Sequence, residues 1–269
     1  MAVLAQIVPM AALNDAQKAS RDQFQKQSDR YGKSHILANV EDVAALLDGV
    51  SFPPGASALD VATGGGHTAL YLAGRGLAVT ASDITPAMLE NTAKLAAERG
   101  LAIETVLHEA ENFPYRDGSF DVVTCRVAAH HFSDPRRFVT EAVRVLKPGG
   151  YLMVIDGSVP DGEPEAEEWL HQVEKLRDPS QGRFIAPAVW AQCVSESGLE
   201  VLECATTPFK QPDLEWYFET AATSPENRAK VIALVESAPE SARRAFRLAI
   251  EDGKIVWWWP RLGLLAQKP

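Results

Sequence analysis

The chain has 269 residues, 46% of them hydrophobic, and its 26 basic against 36 acidic side chains leave a net charge of −10. That is enough apolar material for a sizeable core, as one elaborated domain or a core plus a cap, and it excludes bulk disorder. The acidic balance argues against nucleic acid as a partner.

No stretch approaches about 18 consecutive apolar residues, so no membrane span is expected. Cys125, Cys193 and Cys204 are odd in number and widely spaced, which fits neither a disulfide framework nor a zinc ribbon. Read as small buried hydrophobes, they suggest a reducing, cytoplasmic compartment. The apolar N-terminus has no basic region and no long apolar run before Asn14 and Asp15, so it reads as a packing arm rather than a signal peptide. Residues 11 to 50 alternate charged and apolar positions at helical spacing and predict two lid-like helices ending before Gly49.

From residue 56 the pattern changes to short apolar runs separated by helical segments. Ala58 to Ala62 reads as a strand and Thr68 to Arg75 as a helix stopped near Gly76. A second strand, Leu77 to Asp83, feeds a helix from Pro86 to Arg99, with Thr85 able to cap it and Gly100 as its stop. A third strand runs from about Ala102 to Glu109, and Phe120 to Val127 is a fourth. Asp134-Pro135 starts a helix that ends at Lys147-Pro148-Gly149-Gly150, and Tyr151 to Ile155 supplies a fifth strand. This alternation over residues 56 to 158 predicts a doubly wound, mostly parallel α/β sheet, whose ligands sit beyond the carboxyl ends of the strands. Further on, helices are expected at about 165 to 177 and 187 to 197, a strand at Leu199 to Thr206, helices between 213 and 251, and a last strand from Lys254 to Ala266. The helical stretch before that strand reads as a cap.

The strongest local signal is Leu59-Asp60-Val61-Ala62-Thr63-Gly64-Gly65-Gly66-His67-Thr68, a strand entering a glycine turn that opens a helix. Gly64, Gly66 and Ala69 fit a dinucleotide fingerprint, and Asp83 ends the next strand where a ribose-binding carboxylate belongs. Taken alone, the turn suits NAD or another adenosine-bearing cofactor, or merely packs helix on strand.

Three further features resemble the class I S-adenosylmethionine-dependent methyltransferases, especially the branch of ubiquinone and menaquinone biosynthesis C-methyltransferases. The similarity spans about residues 58 to 158. Ala58 to Gly66 looks like that family's first motif, in which the strand carries an acid before the glycines. Ser82-Asp83-Ile84-Thr85-Pro86-Ala87-Met88-Leu89 is similar to the segment that holds the ribose and packs on adenine. Glu109-Ala110-Glu111-Asn112-Phe113-Pro114-Tyr115, followed by Asp117 to Val123, matches its adenine loop and fourth strand, and Pro148-Gly149-Gly150 completes the set. Two positions depart from the pattern: Ala62 replaces the first glycine, and Glu109 replaces the more usual Asp.

The resemblance implies a seven-stranded Rossmann-like sheet with an antiparallel last strand. Residues 1–55 would form an N-terminal helical lid, 56–158 the cofactor core, and 159–269 the completion of the sheet with its cap. It also implies S-adenosylmethionine as cofactor, S-adenosylhomocysteine as product, and a small molecule as methyl acceptor. Expected cofactor contacts are Tyr31, Asp60, Ala62, Thr63, Gly64, Gly65, Gly66, Asp83, Ile84, Met88, Glu109, Ala110, Glu111 and Arg126. Arg126 has an equally good reading as a structural ion pair.

At the end of the fourth strand, His130 and His131 are the candidate general bases, since a neutral imidazole can deprotonate an acceptor near pH 7. The bland alternative is that one orients the loop and the other covers cofactor. His171, Glu174 and Asp178 share one helix face that either lines the space above the cleft or, as the first reading, is solvated. Trp257 and Trp259 share one strand face and Trp258 the other. With Trp216, Tyr217, Phe218 and Phe246 they either pack a core or line an apolar pocket. His67 and His108 lack metal-ligand spacing, and no metal is expected. The rival functions are an NAD-dependent dehydrogenase, and a protein that binds S-adenosylmethionine without transferring methyl.

Overall fold

Chain order begins with strand β1 (Gln6–Ile7) and three N-terminal helices, α1 (Asp15–Tyr31), α2 (His35–Ala38) and α3 (Glu41–Leu47). In this computed structural model residues 6–7, 12–31, 35–211 and 213–269 are described. The helical segment before Gly49 is thus three helices rather than two. The alternating core follows: β2 (Ser57–Val61), α4 (His67–Gly74), β3 (Ala78–Asp83), α5 (Pro86–Glu98), β4 (Ile103–Leu107), β5 (Phe120–Arg126), α6 (Pro135–Val145) and β6 (Leu146–Gly157). Thr85 does not cap α5 with its side chain. Asp134 does cap α6, accepting the Arg137 N–H at 3.0 Å. Proline begins both helices, where its missing N–H costs nothing.

Helices α7 (Pro164–Arg177) and α8 (Pro187–Glu196) lead to β7 (Glu200–Lys210). Then come α9 (Leu214–Ala221), α10 (Pro225–Glu236), α11 (Glu240–Ala245), β8 (Ala249–Glu251), β9 (Lys254–Val256) and β10 (Trp258–Gln267). Two expectations are corrected here. The stretch read as helix up to residue 251 ends in β8, and the strand read from Lys254 is interrupted at Trp257. Residues 254–256 turn back on β8 through Asp252-Gly253, both with positive φ, to make a separate two-stranded ribbon.

The main sheet has the order β1-β4-β3-β2-β5-β6-β10-β7. Adjacent strands from β1 to β6 run parallel, while β10 lies antiparallel between β6 and β7. The expected seven strands are present, and the two-residue β1 extends the edge beside β4. The order reverses between β2 and β5, so a crevice opens above their carboxyl ends.

Two apolar layers flank the sheet. One packs Phe138, Val139 and Trp190 of α6 and α8 against Val123, Val154 and Leu264. The other packs Val43, Leu47, Leu70 and Leu72 of α3 and α4 against Ala58, Val79 and Met153. A third cluster belongs to the C-terminal helices, where Trp169, Tyr217, Phe246 and Trp257 lie buried together. Trp169 stacks on Phe246 at 5.6 Å between centroids, and Tyr217 meets Trp257 edge-on at 4.7 Å. These aromatics form a closed core. Trp257 and Trp259 face it, while Trp258 turns outward beside Lys210 and Arg247.

Candidate functional site

Above the reversal point lies a cleft of about 940 Å³, open mouth included. Its floor is the turn after β2, which contributes Ala62, Thr63, Gly64 and Gly65. Asp60, just before the turn, is buried and does not reach the cleft. Its two oxygens accept the hydroxyls of Thr63 and Thr124, each at 2.7 Å, tying the turn to β5. Burial pushes its carboxyl up to about 6, against the pull of those hydroxyls. The turn is left-handed at Ala62 (φ 53°), Gly64 (φ 53°) and Gly66 (φ 79°). Ala62 carries a Cβ in a conformation that glycine adopts freely. An added Cβ on Gly64 meets nothing within 4 Å, whereas one on Gly66 lies 2.6 Å from Thr92 Oγ1. Gly64 therefore leaves room for a ligand, and Gly66 for a close approach of α5; Gly66 does not line the cleft.

One wall comes from the end of β3, with Asp83, Ile84 and Met88. Asp83 Oδ2 accepts the Gly64 N–H at 2.9 Å, and Oδ1 accepts the Thr85 N–H at 2.8 Å. Burial raises its pKa, and these amides partly offset that rise. Each oxygen keeps a lone pair for a further donor.

The loop after β4 supplies Glu109, Ala110 and Glu111. Glu109 accepts the Glu111 N–H at 2.6 Å, and Glu111 accepts the Ser133 and Asp134 N–H groups at 2.6 and 3.0 Å. Burial, with repulsion from Glu111 and Glu141, holds the Glu109 carboxyl above its usual range. His108 is locked by the Glu109 carbonyl at 2.8 Å and Tyr115 Oη at 3.1 Å, and burial lowers its pKa to about 4. It is neutral.

An N-terminal lid was expected from sequence, but not the residues that line the cleft. Gln17, Ser20 and Phe24 of α1 line the cleft, and Gln17 Nε2 donates to Glu109 at 3.2 Å and Glu111 at 3.4 Å. Their helix is polar on most faces, so no periodicity marks them. The side chain of Tyr31 lies outside the described residues.

At the end of β5, Arg126 borders the cleft but is already committed. Its guanidinium donates to the carbonyls of Leu37 and Asn39 at 2.8 and 2.7 Å, and pairs with Asp42 at 3.0 Å. Of its two readings the structure shows the structural ion pair, which fastens the α2–α3 segment to the sheet. The next residue, Val127, is β-branched yet sits at φ 54°, a strained position beneath the cleft.

The two histidines divide. His131 lines the cleft, whereas His130 does not. Asp156 grips His130 through its backbone N–H (2.8 Å) and its ring Nδ1 (2.6 Å). Burial disfavours the imidazolium, but the Asp156 charge outweighs it and the His130 pKa is raised. The ring of His131 lies 4.2 Å from that of His130, and burial plus this neighbouring charge lower its pKa. His131 Nδ1 faces the Ser180 carbonyl at 3.2 Å and the Ser180 hydroxyl at 3.4 Å. That hydroxyl donates to Asp178, so both Ser180 oxygens act as acceptors and Nδ1 carries the proton, leaving Nε2 unprotonated.

The reading of His171, Glu174 and Asp178 as a solvated face is corrected, because all three are buried. Glu174 pairs with Arg177 at 3.2 Å and accepts the Tyr217 hydroxyl. Arg177 lies one helical turn away on the same helix, but Tyr217 is 43 residues distant, and helical spacing cannot show that partner.

This fold and cleft define a class I methyltransferase. A family described as a methyltransferase domain matches residues 59–154. Methyltransferase YcgJ of Bacillus subtilis, itself uncharacterised, is 30% identical over 85% of this chain and 90% of its own length. The crystal structure of YcgJ superposes with a TM-score of 0.78 at 26% identity, covering 86% of this chain and 99% of that one. The demethylmenaquinone methyltransferase of Renibacterium salmoninarum is 35% identical over 44% of this chain and 48% of its own length. The chain belongs to the S-adenosylmethionine-dependent methyltransferase family, which decides against the nicotinamide reading. No described helix is long and apolar enough to cross a membrane.

Proposed function

We propose that the cleft binds S-adenosylmethionine and that the protein transfers its methyl group to a small apolar or aromatic acceptor at carbon or oxygen. The observation that carries this reading is Asp83. It stands at the tip of β3, its two oxygens held apart by the amides of Gly64 and Thr85, with lone pairs left for a pair of ribose hydroxyls.

In this reading Ile84 and Met88 pack on adenine, Ala110 offers its N–H to the ring, and Glu109 accepts from the adenine amino group. Ala62 to Gly65 bring backbone close to the amino-acid end. Gly64 supports that role, since the space beside its Cα is empty. Asp60 and Gly66 act by shaping the turn, and Tyr31 belongs to a closing lid formed by residues 1–55. The sulfonium supplies an electrophilic methyl. The protein's part is to align the acceptor, exclude water and take a proton where the acceptor's acidity requires it. His131 Nε2 is the unprotonated nitrogen at the cleft for that last task, and His130 holds the loop.

Calorimetric titration with S-adenosylmethionine, S-adenosylhomocysteine and NAD tests the reading. Both adenosyl sulfur compounds are expected to bind and NAD to fail. Binding of NAD alone would overturn it. S-adenosylhomocysteine release upon supply of candidate acceptors separates methyl transfer from binding without transfer.

A further inference from the structure

A second cavity adjoins the cofactor cleft at His131 and Phe132, the two residues that line both. It opens between α1, which presents the small side chains Ala16 and Ala19, and the loop joining α7 to α8. Phe132, Pro135, Pro179 and Ile185 give it an apolar lining. Its polar lining includes Asp15, Ser133, Ser180 and Arg183, the last paired with Glu167 and Glu168, and two further groups in it stand out. Lys175 Nζ donates to the carbonyls of Pro179 and Gln181 at 2.7 and 2.8 Å, and among the described residues no carboxylate pairs with it. In the same wall, Gln181 is 1% exposed and both atoms of its carboxamide lack a protein partner. An unsatisfied buried amide is costly, which points to a polar ligand group or water at this wall.

We propose that this second cavity is the acceptor site, and that it takes a flat aromatic or enolic acid. The apolar body would lie between Ala19 and Ile185, an ionisable hydroxyl or carbon acid at His131, and an anionic substituent at Lys175. The inference rests on the methyltransferase reading above. The acceptor's proton passes to His131 Nε2 and the freed electron pair forms the bond to the methyl carbon. The carbon–sulfur bond breaks with its electron pair left on sulfur, so one proton is released per methyl transferred. Ser180 and Asp178 are positioning residues, since they hold the proton on Nδ1 and leave Nε2 free. The buried aromatics of the C-terminal helices make no such site, because they fill their own core.

The test is calorimetry on protein saturated with S-adenosylhomocysteine, using 1-hydroxy-2-naphthoate and 1-naphthol as probes. Both are expected to bind, the acid more tightly. Lys175→Met should weaken the acid about tenfold, the worth of one charge-assisted hydrogen bond, and leave 1-naphthol within about twofold. Lys175→Arg should restore the difference. Ala19→Phe, on an exposed helix position, should fill the cavity and abolish binding of both probes, with S-adenosylhomocysteine affinity unchanged in every variant. Failure of either probe to bind the loaded protein, or binding indifferent to Lys175→Met and Ala19→Phe, overturns the proposal. Failure of S-adenosylhomocysteine to bind would instead overturn the cofactor reading.

Discussion

Asp156 meets His130 at two points, one oxygen on the backbone amide at 2.8 Å and the other on ring Nδ1 at 2.6 Å. The carboxylate thereby fixes both the 3-10 turn 129–131 and the charge of the imidazole. Because the folded His130 pKa is raised above its ordinary 6.5, the pair's contribution to stability is full below that value. It is lost as pH rises through the folded pKa. Urea unfolding of the native protein and of Asp156→Asn between pH 5.5 and about 9 should show the native advantage shrinking with rising pH. A difference independent of pH would refute the charged pair.

Ala62 occupies left-handed backbone where a side chain costs about 1–2 kcal/mol. Ala62→Gly should raise stability by about 1 kcal/mol once glycine's larger unfolded-state entropy is subtracted. Thermal unfolding is expected to shift upward by about 2–4 °C for a chain of this size. A downward shift would mean that the methyl group packs favourably in the turn.

Gly66 has the opposite constraint. Gly66→Ala should cost about 2–5 kcal/mol, combining left-handed strain with a clash against Thr92. Adding Thr92→Ala removes Oγ1 and Cγ2, so the double variant should recover part of the loss. Strict additivity in denaturant unfolding would show that the contact is not the cause.

Asp83→Asn keeps a side-chain acceptor near the glycine turn but loses the charge. Affinity for S-adenosylmethionine should fall at least about tenfold, as expected for losing charge-assisted hydrogen bonds. Calorimetry on folded variant protein is the measurement, and unchanged affinity would remove Asp83 from the cofactor site.

Arg126→Met cuts the guanidinium contacts to Leu37, Asn39 and Asp42. Amide exchange of α3 should then quicken by about tenfold or more while the strands β2 and β5 stay protected. Equal acceleration throughout would indicate global destabilisation instead.

The alternating core was legible because most boundaries carried local chemistry: Pro86 and Pro135 opening helices and Gly100 following the end of one, although Lys147 to Gly150, read as the stop of α6, lies inside β6. The cleft's floor and walls follow from motifs lying at strand ends. The presence of an N-terminal lid was legible, but its contact residues were not, since Gln17 and Phe24 gain their roles only by crossing to Glu109 and His131. Nor was the burial of Glu174, which depends on Tyr217, 43 residues onward. The division of labour between His130 and His131 depends on Asp156, 26 residues onward. The end of the last strand was readable, but its interruption at Trp257 arises from the ribbon that β9 forms with β8.

Arg126 is the lone lysine or arginine along the described cleft, and Asp42 cancels it, while Asp83, Glu109 and Glu111 also face that space. The chamber is thus electronegative. Under the proposed function it would attract a positively charged reactant and loosen its hold once the sulfur has become neutral. Such an asymmetry favours exchange of spent nucleoside for fresh, so turnover gains a direction from wall charge alone, and added salt should erode it.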